Sequence, residues 1–166
     1  VAAKTGDTPD NTCAELDGVE IARRMLDRRS PHVVITGGEP AMYDLQELTE
    51  QIALAGIPVQ VETSGTYELL LDGRTWVTCS PKFDMPGGRT VLRSALERAD
   101  EIKMPVGKAR DVESMRHRVL PFVRIGTPIW LQPLSASPAA TRLCIEQAAR
   151  NGWNVSIQSH KFIGIR

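Results

Sequence analysis

His32-Val33-Val34-Ile35-Thr36-Gly37-Gly38-Glu39-Pro40 decides how this chain folds, because an apolar run passes directly into two glycines. An apolar run bounded by turn residues reads as a buried strand. The glycines put the end of that strand where backbone can approach a bound molecule closely, and they accept angles that other residues resist. Thr36 and Glu39 add a hydroxyl and a carboxylate. Taken alone, the motif fits two roles, a strand-to-helix turn and a ligand-binding turn.

Outward from this turn, short apolar runs alternate with helical patterns, the signature of β/α units and a mainly parallel sheet. Upstream, Thr12-x-x-Glu15 has the form of a capping box and predicts a helix with Leu16, Val19, Ala22, Met25 and Leu26 on one face. Downstream, Asp44-x-x-Glu47 opens a second helix, with Leu45, Leu48, Ile52 and Ala53 inward and Gly56 placed to end it. Strands are predicted at Val33 to Thr36, Pro58 to Glu62, Thr75 to Cys79, Ala99 to Met104, Ile129 to Gln132 and Asn154 to Gln158. Between the last two, Ser137-Pro138 starts a helix that Gly152 closes. The segment Phe83 to Arg89 reads as loop. No repeat or linker divides residues 1–166, so a single domain is expected.

Composition sets the class. The 166 residues are 42% hydrophobic and 24% charged, ordinary for a globular protein with a real core. Lys and Arg total 20, as do Asp and Glu, and a net charge of zero argues against broad electrostatic capture of nucleic acid or an acidic membrane surface. No apolar run approaches the ~20 residues that span a bilayer, and the opening residues lack the apolar core of a secretory signal, so a cytoplasmic setting is expected. Cys13, Cys79 and Cys144 are far apart and form no Cys-x-x-Cys clip, which fits neither a disulfide framework nor a metal-ligand set. Cys79 and Cys144 read as small buried hydrophobes. The chain starts with Val1, and residues 1–12 are mostly small or polar, as though it opened within a loop.

The apolar runs repeatedly end in polar residues: Thr36, Glu62-Thr63-Ser64, Ser80-Pro81-Lys82, Lys103, Gln132 and His160. In a parallel β/α layout the C-terminal strand ends point one way, and the loops there form the ligand-binding face. These groups are therefore expected on one rim. His32 and His117 read as ordinary surface or strand-flanking histidines. Trp76, Trp130 and Trp153 read as core or rim packing. The mixed charges from Lys108 to Arg118 read as a solvated helix face.

Thr36-Gly37-Gly38-Glu39-Pro40, Glu62-Thr63-Ser64-Gly65-Thr66, the Val77 to Lys82 segment, Leu131-Gln132-Pro133 and Gln158-Ser159-His160-Lys161 occur in an order that resembles the 7-carboxy-7-deazaguanine synthase family of radical S-adenosylmethionine enzymes. The resemblance runs from about Val33 to the last residue. It implies an incomplete β/α barrel of about six mainly parallel strands, lacking its N-terminal unit here. It implies that Thr36 contacts a pterin substrate and that Gly37, Gly38 and Glu39 line the S-adenosylmethionine site. Glu62 is implied to bond the pyrimidine-like edge of the substrate, where a carboxylate accepts from adjacent N–H donors. Ser80, Pro81 and Lys82 correspond to one cofactor-binding loop, and Gln132, Pro133, Leu134 and Ser135 to another, although the family often has an acidic residue at the position of Ser135. His160 and the terminal carboxylate on Arg166 are implied to close over the substrate.

The resemblance also implies a four-iron four-sulfur cluster, a magnesium ion, a flavodoxin-like reductant and a homodimer. The expected reaction is ring contraction of 6-carboxy-5,6,7,8-tetrahydropterin to 7-carboxy-7-deazaguanine with loss of ammonia. The chain departs from the family in one large respect: the clustered Cys-x3-Cys-x2-Cys ligands and the magnesium-binding threonine are not in it. Isolated cysteines do not supply three close thiolates. The chain alone is therefore expected to be inactive, as the C-terminal part of a longer enzyme or as a non-catalytic pterin- or nucleotide-binding remnant. A different radical enzyme, such as a glycyl-radical activase, shares the Gly-Gly-Glu-Pro turn and stays open at this point.

Overall fold

The computed structural model describes residues 2–4, 13–15, 18–28, 31–83 and 88–159. Strands β1 (Ala2–Lys4) and β2 (Cys13–Glu15) pair antiparallel, with Ala2 opposite Glu15. Helix α1 (Gly18–Asp27), β3 (Val33–Ile35), α2 (Gln46–Leu54), β4 (Val59–Thr63) and β5 (Trp76–Cys79) follow. Then come α3 (Arg93–Arg98), β6 (Glu101–Val106), α4 (Ala109–Arg118), β7 (Ile129–Pro133), α5 (Pro138–Asn151) and β8 (Asn154–Val155). Strands β3 to β8 form one six-stranded parallel sheet in sequence order. An ordered parallel sheet with a helix after nearly every strand is the α/β architecture expected of the alternating pattern. No helix among the described residues is long and apolar enough to cross a membrane.

By contacts the chain forms two compact units, Val1–Val61 with Leu69–Trp76, and Glu62–Glu68 with Val77–Arg166. In the first, Ala22, Leu45, Leu48, Ile52, Ile57, Val59 and Val61 form the buried core. Helix α2 lies where expected, although Leu45 is its N-cap and makes no side-chain cap bond, so the Asp44–Glu47 capping box does not form. Asp44 Oδ1 accepts from Gln46 N at 2.9 Å, Leu45, Leu48 and Ile52 face inward, and Gly56 takes φ +76 just past the last turn. Thr49, fully buried, donates to the Leu45 carbonyl at 2.7 Å and accepts from Asp72 N at 2.8 Å, so its hydroxyl ties the helix to the loop before β5. Thr49→Val keeps the shape but leaves the Asp72 N–H without its acceptor. An expected loss of about 1–2 kcal/mol is measurable by urea denaturation.

Helix α1 differs from expectation. Glu15 lies in β2, opposite Ala2, so its backbone is committed to a strand ladder and the capping box does not form; Thr12 and Leu16 lie outside the described residues. The helix opens at Gly18, where an added Cβ would sit 3.2 Å from Leu48 Cα. That close approach rotates the buried stripe. Ala22 is buried with Ile21 and Met25 against the core, while Val19 and Leu26 are exposed.

In the second unit α4 packs on β6 and α5 on β7 and β8. Strands β6 and β7 alternate strictly: Ile102, Met104, Val106, Ile129, Leu131 and Pro133 are buried and the residues between them are only half-buried, whereas in β5 Val77, Thr78 and Cys79 are all buried. Strand β8 is shorter than expected. Ser156 N still donates to the Leu131 carbonyl at 2.9 Å, but the chain then leaves the sheet and exposes Ile157. Ser137 and Pro138 begin α5 as expected, and Gly152 ends it at φ +68. The charged α4 is a solvated face anchored at its start by Asp111, whose Oδ2 accepts from Gly107 N and Lys108 N at 2.8 and 2.9 Å. Cys79 and Cys144 are buried thiols, and burial pushes the Cys144 thiol up to about 11.

Asp100 fastens the start of β6. Its carboxylate accepts from Val77 N (2.9 Å), Arg98 (2.8 Å) and Arg124 (2.8 Å). Burial alone would raise its pKa, but the Val77 amide and the two guanidinium groups outweigh it and hold the carboxyl below the usual carboxylate range. A folded-state value below the unfolded one means that the contribution is present above the unfolded pKa, about 3.9, and is lost as pH falls through the depressed value. Asp100→Asn should therefore be less stable than the parent at pH 7, with the difference shrinking below about pH 4 in thermal melts.

Candidate functional site

Within the first unit, the turn after β3 has the predicted glycine chemistry. Gly37 has φ +136, a conformation that favours glycine, and a Cβ on Gly37 or Gly38 would meet no atom of the described residues within 4 Å. Packing therefore does not require Gly38, and the backbone there lies open. Thr36 is exposed beside it. Glu39 Oε1 accepts from Ala41 N at 3.1 Å, capping the short 3-10 turn Pro40–Met42, so part of this carboxylate serves the local fold.

The second unit carries a polar sheet face. In a parallel pair, residues in register project to the same side, and side chains two apart on a strand share a face. Thr78 is in register with Glu101, Lys103 with Trp130, and Pro105 with Gln132, which puts all six on one side of the sheet, where Thr78 is buried and the other five are half-buried. Parallel sheets are usually buried and apolar on both sides. Here one side carries acid, ammonium, amide and hydroxyl groups instead.

The centre of that face is an ion pair. Glu62, near the end of β4, accepts from Lys103 Nζ at 2.6 Å, with side chains 34% and 23% exposed. The pair spans β5, whose following residue supports it: Ser80 N donates to the Thr63 carbonyl at 2.7 Å and Ser80 Oγ to the Lys103 carbonyl at 2.9 Å. One strand away, Thr78 Oγ1 donates to Glu101 Oε1 at 2.7 Å. Glu62, Lys103, Thr78, Glu101 and Ser80 are each held by a residue from another strand, which keeps these side chains in place before any ligand arrives.

The turn after Glu62 is equally constrained. Gly65 N donates to Thr63 Oγ1 at 3.0 Å, Ser64 and Thr66 share a hydroxyl hydrogen bond at 2.9 Å, and Leu92 N reaches the Gly65 carbonyl at 2.7 Å. Gly65 has φ +74, and an added Cβ would lie 2.8 Å from Cys79 Sγ. The second strand-end loop has its own unusual backbone. Ser135 sits at φ 54, ψ 25, a left-handed conformation that non-glycine residues seldom hold.

Of the expected site residues, the structure thus brings Glu62 and Ser80 together through Lys103. Pro81 is buried and Lys82 exposed after β5; Gln132 is half-buried on the polar face, Pro133 buried, and Leu134 and Ser135 exposed. His160 and Arg166 lie outside the described residues. Sequence reading gave Lys103 no partner and passed over Thr78 and Glu101. The signal was there in Glu101-Ile102-Lys103-Met104, where charged and apolar residues alternate with the period of a strand. Among the described residues no group of three His, Cys, Asp or Glu could hold a metal ion.

No protein-family model matches the chain. Curated relatives do. The chain is 49% identical over 136 residues to 7-carboxy-7-deazaguanine synthase of Escherichia coli strain K12, covering 81% of this chain and 60% of that protein. It is 31% identical over 153 residues to the protein of that name from Synechocystis, covering 89% and 68%. The crystal structure of QueE from Escherichia coli superposes with a TM-score of 0.82 at 41% identity, covering 92% of this chain and 68% of that one. The chain spans about 60% of the length of the first of these relatives. Its ordered motifs, its six-stranded parallel sheet and these similarities place it in the 7-carboxy-7-deazaguanine synthase family.

Proposed function

We propose that this chain is the substrate-binding portion of a 7-carboxy-7-deazaguanine synthase, forming 7-carboxy-7-deazaguanine from 6-carboxy-5,6,7,8-tetrahydropterin with loss of ammonia. The observation that carries the reading is the Glu62–Lys103 pair on a polar sheet face that a purely structural parallel sheet would have filled with apolar side chains. A half-buried carboxylate accepts from the neighbouring N–H groups of a pyrimidinone edge, and it is oriented for this by Lys103. Thr36 and, past the described residues, His160 and Arg166 are proposed as further substrate contacts.

The open backbone at Gly37 and Gly38 fits a bound S-adenosylmethionine, with Glu39, Ser80, Pro81, Lys82 and the Gln132–Ser135 loop as the other proposed contacts. When bound with its cluster, that cofactor supplies the radical chemistry, while the protein positions and hydrogen-bonds. The described residues do not fit the cluster itself or a magnesium ion: Cys79 and Cys144 are buried on a strand and a helix, and no group of three His, Cys, Asp or Glu among them could hold a metal ion. Ligands for both are proposed outside this segment, and a homodimer, a flavodoxin-like reductant, a cytoplasmic location and a single domain complete the reading.

The test is direct. The full-length protein, reconstituted with iron and sulfide and supplied with S-adenosylmethionine, magnesium and a reductant, is expected to convert the carboxypterin to a product with the mass of 7-carboxy-7-deazaguanine. A reconstituted enzyme that cleaves S-adenosylmethionine but leaves the pterin intact overturns the assignment.

A further inference from the structure

We infer that Lys103 is a specificity-determining residue that reads the carbonyl oxygen beside the N–H donors taken by Glu62; this rests on the proposed role of Glu62. An ammonium has three donors, and among the described residues Glu62 Oε1 is the one acceptor that Lys103 reaches. Glu62 likewise has its second oxygen free of protein donors among those residues. The side chains are 23% and 34% exposed, so the remaining donors of Lys103 and the remaining acceptor of Glu62 are accessible side by side. The pair is a two-point socket.

The socket has a definite complement. A 2-amino-4-oxo-pyrimidine edge presents two N–H donors followed by a carbonyl acceptor, and it meets carboxylate and ammonium in that order. A 2,4-diamino edge replaces the carbonyl with an amino group and the ring N–H with a bare nitrogen. It would set donor against donor at Lys103 and leave an ammonium without an acceptor, so rejection comes from a mismatched, partly desolvated charge as well as from a lost bond. The support of Lys103 is rigid on both sides. Its carbonyl takes Ser80 Oγ, and its strand neighbours Ile102 and Met104 are buried. A lysine placed only to neutralise Glu62 would not discriminate between the two edges.

The experiment measures binding of two fluorescent probes, pterin-6-carboxylate and 2,4-diaminopteridine-6-carboxylate, to the full-length protein at pH 8 by fluorescence anisotropy. The parent should prefer the oxo probe, and Lys103→Met should lower that preference by about 10-fold or more, the range for a hydrogen bond to a charged group. Lys103→Arg should retain most of it, and Lys103→Gln serves if the methionine variant does not fold. An unchanged preference in both Met and Gln variants overturns the inference. So does an equal loss of affinity for both probes, which would mark Lys103 as a support for Glu62 alone. Glu62→Gln reports separately on the underlying assignment: oxo-probe affinity equal to the parent removes Glu62 from the edge, and the socket with it.

Discussion

On the proposed function, replacing Glu62 with Gln in the full-length protein is expected to lower kcat/KM for the carboxypterin by about 100- to 1,000-fold. The amide keeps the volume and one carbonyl acceptor but turns the other oxygen into a donor. Facing a pyrimidinone edge, that donor meets N–H groups; facing Lys103, it meets an ammonium at a position where the carboxylate sat at 2.6 Å. One or two charged hydrogen bonds of about 1.5–3 kcal/mol each are lost, and Lys103 keeps a partly buried charge without its counter-ion. Steady-state kinetics with mass detection of the product measure the outcome, and probe binding separates affinity from turnover. A variant within about threefold of the parent in both would remove Glu62 from the site.

Gly65→Ala is expected to be the most destabilising single-methyl addition in this region, at about 2–5 kcal/mol. Two costs combine. A side chain at φ +74 costs roughly 1–2 kcal/mol. The new Cβ would also lie 2.8 Å from Cys79 Sγ and 3.2 Å from Val91 Cγ1, and Cys79 is fully buried in β5 with nowhere to withdraw, which adds roughly 1–3 kcal/mol of overpacking. Chemical denaturation measures the loss. Adding Cys79→Ala should recover the packing part and leave the backbone part, so the double variant should be more stable than Gly65→Ala alone. Because Gly65 follows Glu62 by one turn, the single variant should also raise KM. A Gly65→Ala protein as stable as the parent would show that the turn relaxes without cost.

Much of the fold was legible from local pattern. The strand ends at Thr36, Glu62, Ser80 and Gln132 lie where the apolar runs stop, because a strand that is buried on one side must change composition where it leaves the sheet. Asp44 and Gly56 bound α2 through chemistry internal to a few residues: a carboxylate meeting an orphan amide, and a glycine accepting a positive φ. Thr12-x-x-Glu15 misled because a capping pattern is weaker than a strand ladder with a distant partner, and Ala2 supplied that partner. The stripe on α1 shifted for a similar reason. Gly18 lets Leu48 approach, and no periodicity within the helix encodes that contact.

The candidate site residues were legible as residue types and not as an arrangement. Gly37, Gly38, Glu62 and Ser80 stood out because glycines and polar groups at strand ends have few structural reasons to be there. Lys103 was visible too, as one polar residue among many, but its role depends on a partner 41 positions earlier. The sequence by itself determined the alternation of β and α elements, the ends of the strands and the groups on their rims, since each follows from side-chain chemistry over a few residues. Only the tertiary structure decided that Glu62 and Lys103 meet across β5 on the polar side of the sheet, because strand order and register are set by the packing of the whole core, and no local stretch contains them.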